Sequence, residues 1–371
     1  MKILITNNAL SAHTGSELYV KEITEELMRR GHALAVYSTQ IGKLSGAMEK
    51  SGIQVIDYLS KLNWAPDIIH GQHHLETMTA LAYFPSAPVI YFCHGWRPWQ
   101  EKPPLHPRII EYATVDTMTL DFAVKQCGVP KEKIRLLHNF VNLNRFKQRE
   151  PLPKTPKRAL VFNNAASNDN YLPMVRRACQ KAGVSLDTLG FSSGHPTDQP
   201  ENFLKNYDIV FAVGKSALEA LASGNAVVVC GNHGVGPMVT LKEMGRLRDC
   251  NFGTAAVHSK HGVGAIYREI CKYNAEDSAA LTQALRATIG ISPAVDKLEK
   301  FYLDAIEKYK TANISLEGEA HALSSYLRDT AIFLKQTHQD LHQKNLLFKS
   351  IKSLKLTKAW DIYKKIKNQI K

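Results

Sequence analysis

The spacing Gly214-Lys215-Ser216-Ala217, followed by Glu219, is the most chemically suggestive in the chain. Residues 208–213 read as a strand, Gly214-Lys215-Ser216 as a turn, and residues 216–222 as a short helix closed by Gly224. In that arrangement the amides of Lys215, Ser216 and Ala217 face a phosphate, and Lys215 adds a positive charge. A carboxylate at Glu219, in the first helical turn, can accept two ribose hydroxyls, or it can simply stabilise the helix N-terminus. A second candidate is residues 13–19, HTGSELY, between the first strand and the first helix. Gly15 there admits a ligand close to the backbone, and Ser16 serves as N-cap of a strand-to-helix turn. His94-Gly95 follows a strand at its carboxyl end, where an imidazole can donate to a sugar hydroxyl or a phosphate, or be a satisfied loop histidine. Residues 96–107 carry two tryptophans and four prolines, a stiff aromatic loop suited either to sugar or lipid recognition or to a packed crossover.

Other chemistries lack their residues. His70, His73 and His74 lie close together, but no carboxylate or cysteine spacing completes a metal site, so no metal is assigned. No GxGxxG follows the first strand and no GxxxxGK[ST] occurs, which argues against dinucleotide and P-loop enzymes.

The elements that must hold these residues alternate. Apolar runs at 3–5, 33–37, 54–56, 67–69, 89–93, 112–115 and 134–137 read as buried parallel strands. Residues 16–30 show a helical stripe of Val20, Ile23 and Leu27, ended by Gly31. Residues 148–156, with Pro151, Pro153 and Pro156, read as a linker, after which strands recur at 158–162, 185–189, 208–213, 226–230 and 254–257. The expected class is α/β, with two doubly wound halves, residues 1–150 and 151–293, facing a ligand cleft at the carboxyl ends of their strands. A closing helix at 294–312 and a helical basic tail at 313–371 follow.

The 371 residues are 44% hydrophobic and 22% charged, an ordinary globular composition. Of the formal charge of +13, residues 344–371 hold +8, with nine lysines against Asp361 alone, so no nucleic-acid-binding face spreads over the body. The six scattered cysteines read as reduced thiols in a cytoplasmic protein without a secretory signal. In the tail, apolar residues including Trp360 and Tyr363 recur every three to four positions among the lysines. That helix suits an anionic membrane surface, or else packs on the body or on another copy as a homo-oligomer contact.

Several segments together resemble the retaining family 4 glycosyltransferases of the GT-B fold. They are Gly15-Ser16-Glu17, Arg30-Gly31-His32, Pro66-Asp67-Ile68-Ile69-His70, residues 128–146 with Asn139, Leu218–Gly224 with the strand after it, and the glycine loop from Gly234. The resemblance implies an acceptor-binding first half and a second half that binds a UDP- or GDP-linked sugar as substrate, with no cofactor and no metal. It implies that Gly15, Ser16, Asn163, Gly190, Gly214, Ser216, Ala217, Glu219 and Gly234 bind the donor, Glu219 through the ribose hydroxyls. His94 would contact the transferred sugar, and His94 and Lys215 would stabilise the leaving diphosphate. The acceptor would be a glycan, a lipid-linked saccharide or a protein. Two departures stand out. Phe211 occupies the position of the family's first glutamate, eight residues before Glu219, and Asn163, Asn164, Ser167 and Asn168 stand where it has an Arg and a Lys. They leave open an unusual donor or a decayed protein acting as a partner or scaffold. An epimerase of the same fold is the enzymatic rival.

Overall fold

The computed structural model describes residues 1–11, 15–353, 364, 366 and 367. The chain begins β1 (Lys2–Thr6), β2 (Ala9–Leu10), α1 (Gly15–Arg29), β3 (Ala33–Tyr37), β4 (Gln40–Ile41), α2 (Lys43–Lys50) and β5 (Gln54–Ile56). There follow β6 (Ile68–Gln72), α3 (His74–Tyr83), β7 (Val89–Cys93), β8 (Ile109–Thr114), α4 (Thr117–Lys125) and β9 (Ile134–Leu136). The second half holds β10 (Arg158–Phe162), α5 (Leu172–Lys181), β11 (Ser185–Leu189), α6 (Glu201–Leu204), β12 (Ile209–Ala212), α7 (Gly214–Ala222) and β13 (Ala226–Gly231). It closes with β14 (Gly234–Met238), α8 (Met244–Asp249), α9 (Val263–Ile270), α10 (Ala275–Arg286), α11 (Ile291–Thr311) and α12 (Leu316–Ser353).

The first sheet runs β5-β3-β1-β6-β7-β8-β9, with every pairing parallel. Its central strands β6, β7 and β8 are buried along their whole length, as continuous apolar runs in a covered parallel sheet must be. The second sheet runs β11-β10-β12-β13-β14, parallel except for the β13–β14 hairpin. Its two faces bury separate clusters, Leu160, Val210 and Val227 on one side and Val161, Phe211 and Val228 on the other. Phe211 is thus a core residue inside β12 and fully buried, so the position compared with the family's first glutamate does not face the cleft at all.

The expected strand at 254–257 is instead a 3₁₀ turn, Thr254–Ala256. A run of four small or apolar residues has no helix or strand period, and the sheet edge it would join is taken by β14, leaving only the Val235–Ser259 bridge. β14 itself replaces the expected glycine loop from Gly234.

Helix α11 starts three residues earlier than the sequence suggests, returns to the first sheet, and buries Phe301 and Tyr302 there. Arg30 fastens it, bonding Asp296 Oδ1 and Glu299 Oε2 at 2.6 Å each, while His32 Nε2 meets Glu299 Oε1 at 2.7 Å. The Arg30-Gly31-His32 segment therefore anchors this helix. Residues Leu105–Pro107 and Asn313–Lys371 form a separate unit. In it α12 runs unbroken from Leu316 through Ser353, within the expected helical tail. Trp360 and Tyr363 lie outside the described residues.

Candidate active site

Doubly wound sheets open a crevice where successive strands leave in opposite directions. In the first sheet that point lies between β1 and β6, and protein fills it. Thr6 Oγ1 bonds Gln72 O at 3.1 Å, Thr77 Oγ1 bonds His73 O at 2.8 Å, and His73 Nδ1 accepts from Asn8 N at 3.0 Å. His70 stacks on Phe92 and its Nδ1 meets Tyr302 Oη at 2.7 Å. His73 and His74 turn instead to Glu101 and to the Trp99 ring. The three histidines are thus parts of the packing, and among the described residues no group of three His, Cys, Asp or Glu side chains is arranged to hold a metal.

In the second sheet the equivalent point, between β10 and β12, is open. A recess of about 270 Å³ is lined there by Asn163 and Ala165, Val213 and Gly214, Asn232 and His233, and Thr254. Gly214, at φ +61°, is the first residue of α7, so Gly214-Lys215-Ser216 forms the helix's opening turn and not a turn before it. Glu219 consequently lies in the second helical turn and cannot be a first-turn stabiliser. No side chain caps α7, and Gly214 N–H is occupied by Phe252 O at 3.3 Å. The Lys215 and Ser216 amides remain at the helix end, while the Ala217 side chain is buried in the core beneath.

Gly190 and Gly234 serve this recess without lining it. A Cβ on Gly190, at φ +154°, would come within 2.3 Å of Asn163 O, so the loop carrying Asn163 seats directly on bare backbone. Gly190→Ala is expected to cost about 1–3 kcal/mol, measured as a lower urea midpoint with an unchanged m-value. Gly234, at φ +141°, is buried in the hairpin, where a Cβ would lie 2.3 Å from Ser259 O, and the exposed tip residues Asn232 and His233 face the recess in its place.

A second recess, about 230 Å³, adjoins the first, for both are lined by Gly253 and Thr254. Its other walls include His94, Trp96, Arg97 and Asp116 from the first half. His94 packs edge-on against Tyr19 at 4.5 Å, and its backbone N–H donates to Glu101 Oε2 at 3.2 Å. Burial pushes its imidazole down to about 4, keeping it neutral at physiological pH, and Nε2 is buried without a partner. Arg97 stacks on Trp96 at 4.7 Å, and Asp116 caps α4 by accepting from Thr119 N at 2.7 Å. Between the recesses, Asn251 and Phe252 stand at φ +50° and +51°, a left-handed pair that costs strain at the phenylalanine in particular.

Lys215 and Glu219 face a third place, a charge cluster joining the halves. Lys215 Nζ bonds Glu22 Oε2 of α1 at 2.6 Å and sits 5.5 Å above the Phe140 ring. Arg145 clamps Glu201 through Nε at 3.0 Å and Nη2 at 2.7 Å, with Nη1 3.6 Å from Glu22 Oε1. The Glu219 side chain is buried and its carboxylate makes no hydrogen bond to any described residue. Burial pushes its carboxyl up to about 7, Lys215 and Arg145 pulling down and Glu22 and Glu201 pushing up. A buried carboxylate without donors is costly, and it is a fit acceptor for hydroxyls that a ligand would bring.

Gly15 and Ser16 open α1, Ser16 as a helical residue and not as its cap, with open space around Gly15. His13 and Thr14 lie outside the described residues. Sequence reasoning did not find Glu22, Arg145, Asp116, His233 or the strained loop at Asn251. Glu22 is one of four glutamates in residues 15–29, and nothing in their spacing marks it as the one that meets Lys215. The adjoining Asn251 and Gly253 did carry a signal, since both tolerate left-handed backbone.

Two facing doubly wound sheets with the open crevice in the second define the GT-B fold. Residues 13–145 match the model of Glycosyltransferase Family 4. Among solved structures, a glycosyltransferase from Rickettsia africae superposes with a TM-score of 0.61 at 12% identity, covering 82% of this chain and 98% of that one. HepE from Anabaena, solved with UDP and glucose, gives 0.57 at 12% identity over 81% and 99%. The lipopolysaccharide outer core galactosyltransferase WaaB gives 0.54 at 12% identity over 81% and 100%. No curated protein matches the chain.

Proposed function

We propose that the chain transfers a sugar from a UDP- or GDP-linked donor, with retention, to a glycan or lipid-linked acceptor in cell-surface polysaccharide or glycoconjugate synthesis. The observation that carries this reading is Glu219, a buried carboxylate without hydrogen-bond donors, one turn beyond the uncapped N-terminus of α7, the helix whose first residue, Gly214, lines the open crevice. Ribose hydroxyls would satisfy it, and the diphosphate would lie on the Lys215 and Ser216 amides. The UDP complex of HepE supports a nucleotide of this class. The bond from the anomeric carbon to the diphosphate breaks as the acceptor hydroxyl oxygen bonds to that carbon, negative charge builds on the leaving phosphate, and the hydroxyl proton passes to that phosphate oxygen. Fixed amides, the Lys215 ammonium released from Glu22, and neutral His94 beside the sugar stabilise that charge without reorganisation. The pairing of Lys215 with Glu22 favours one second reading, an inert protein in which the cation is permanently held.

The test incubates the protein with a panel of UDP- and GDP-sugars, follows release of the nucleoside diphosphate, and reads the anomer of the released sugar by NMR. One donor should be consumed with retained configuration. Release of none, together with no nucleotide binding, would support the inert reading. His94→Ala should lower turnover of that donor about a hundredfold with little effect on nucleotide affinity.

The basic tail supports contact with an anionic membrane that carries the acceptor. No helix among the described residues is long and apolar enough to cross a bilayer. The full chain should sediment with vesicles rich in anionic lipid, not with zwitterionic ones, and come off as salt is raised. On α12, Leu327, Leu334 and Leu341 recur every seventh residue and are exposed, which supports pairing with a second copy, readable by light scattering.

A further inference from the structure

We propose that a further recess, backed by Tyr19 and Phe140 and lying between the segment after β9, α8 and the start of α11, is a binding site for a phosphate-sized anion. It measures about 120 Å³, and its polar walls are His138, Asn139, Arg248, Thr288 and Lys297. Arg248 supplies the main argument. Its Nη1 is buried with no hydrogen-bond partner, and its Nη2 reaches only Asn139 O at 3.4 Å. A buried guanidinium N–H left unpaired is expensive, and a native fold that keeps one holds it for a partner. Burial draws the Arg248 guanidinium below its ordinary value, and the neighbouring Asp249 charge offsets this only in part.

The surrounding charges leave that partner's place open. Lys297, across the recess on α11, is exposed and pairs with no carboxylate among the described residues. Asp249 is engaged by His138 Nε2 at 3.1 Å. Asp296 and Glu299, the acids on either side along α11, turn to Arg30. Burial, Arg248 and Lys297 together outweigh Asp249 and hold the His138 imidazole below its ordinary value. Two cations and no lining carboxylate thus converge on a volume suited to a tetrahedral oxyanion, with Asn139 and Thr288 at the wall. Because Arg248 belongs to the second half and Leu137, His138 and Tyr19 to the first, an anion here ties the halves together.

The experiment titrates inorganic phosphate into the full chain at constant ionic strength against chloride, by calorimetry and by Tm, with and without saturating UDP. The expected result is one saturable phosphate site that persists with UDP present and raises Tm. Arg248→Met should weaken it about tenfold or more, and Lys297→Met, at an exposed position that does not threaten folding, severalfold. No saturable binding, or binding unchanged in Lys297→Met and in folded Arg248→Met, overturns the proposal. Binding abolished by UDP does so too, because it would put the phosphate at α7.

Discussion

Replacing Glu219 with Gln is expected to weaken nucleotide binding about 10–100-fold while leaving the fold intact. Hydrogen bonds to a charged group contribute about 1.5–3 kcal/mol each, and Gln keeps the shape and one neutral acceptor while losing the charge. The carboxylate is buried beside Lys215, Arg145, Glu22 and Glu201, and burial raises its carboxyl to about 7. The free protein therefore carries a proton there at pH 6, and a ligand whose hydroxyls need the ionised form must expel it. Affinity should rise about tenfold per pH unit up to about 7 and level off above it, whereas the Gln variant should show no such slope. Stability runs the other way. A folded carboxyl above its ordinary value of 4.5 binds more protons than the unfolded chain, so its contribution falls as pH rises from about 4.5 to 7. Urea titrations of the two proteins at pH 5 and pH 8 read that difference directly.

Lys215→Met is expected to lower turnover about 10²–10³-fold, with a much smaller change in the concentration of donor needed. In the free protein the ammonium is committed to Glu22 at 2.6 Å, so it gives the ground state little and must exchange partners as charge develops on the diphosphate. Glu22→Gln should act in the opposite sense on the ligand, raising nucleotide affinity severalfold because Lys215 no longer has to be withdrawn from a carboxylate. The same substitution leaves Lys215 and Arg145 short of a buried counterion, so Tm should fall without nucleotide and recover with it. The gain should vanish in the double variant, since both effects pass through one contact.

Strand positions were the most legible part of the chain. Residues 33–37, 54–56, 89–93, 158–162 and 185–189 have the bounds read from the sequence, because parallel strands between helices are short apolar runs ended by turn residues. The 254–257 segment failed for the converse reason, since a run so short has no period and sheet-edge occupancy is a tertiary fact. At the site, Asn163 and Gly214 were found and do line the open crevice. Lys215 and Glu219 were found too, but Glu22, which pairs with Lys215, lies 193 residues from it, and Arg145, whose charge acts on Glu219, lies 74 residues from Glu219. No local pattern links them, so the sequence presents Lys215 as a free cation when it is a paired one. Phe211 illustrates the same limit. Counting eight positions back from Glu219 lands on a missing carboxylate, whereas the short β12-to-α7 connection puts that position inside a strand.

The central claim is that Glu219 receives the hydroxyls of a nucleotide at the open end of the second sheet. Calorimetric titration of the full chain and of Glu219→Gln with UDP and with GDP at pH 8 tests it most directly. The account predicts one-to-one saturable binding of one of the two nucleotides to the native chain and a loss of at least about tenfold in the variant. Failure of both nucleotides to bind, or equal affinity in the two proteins, would contradict it.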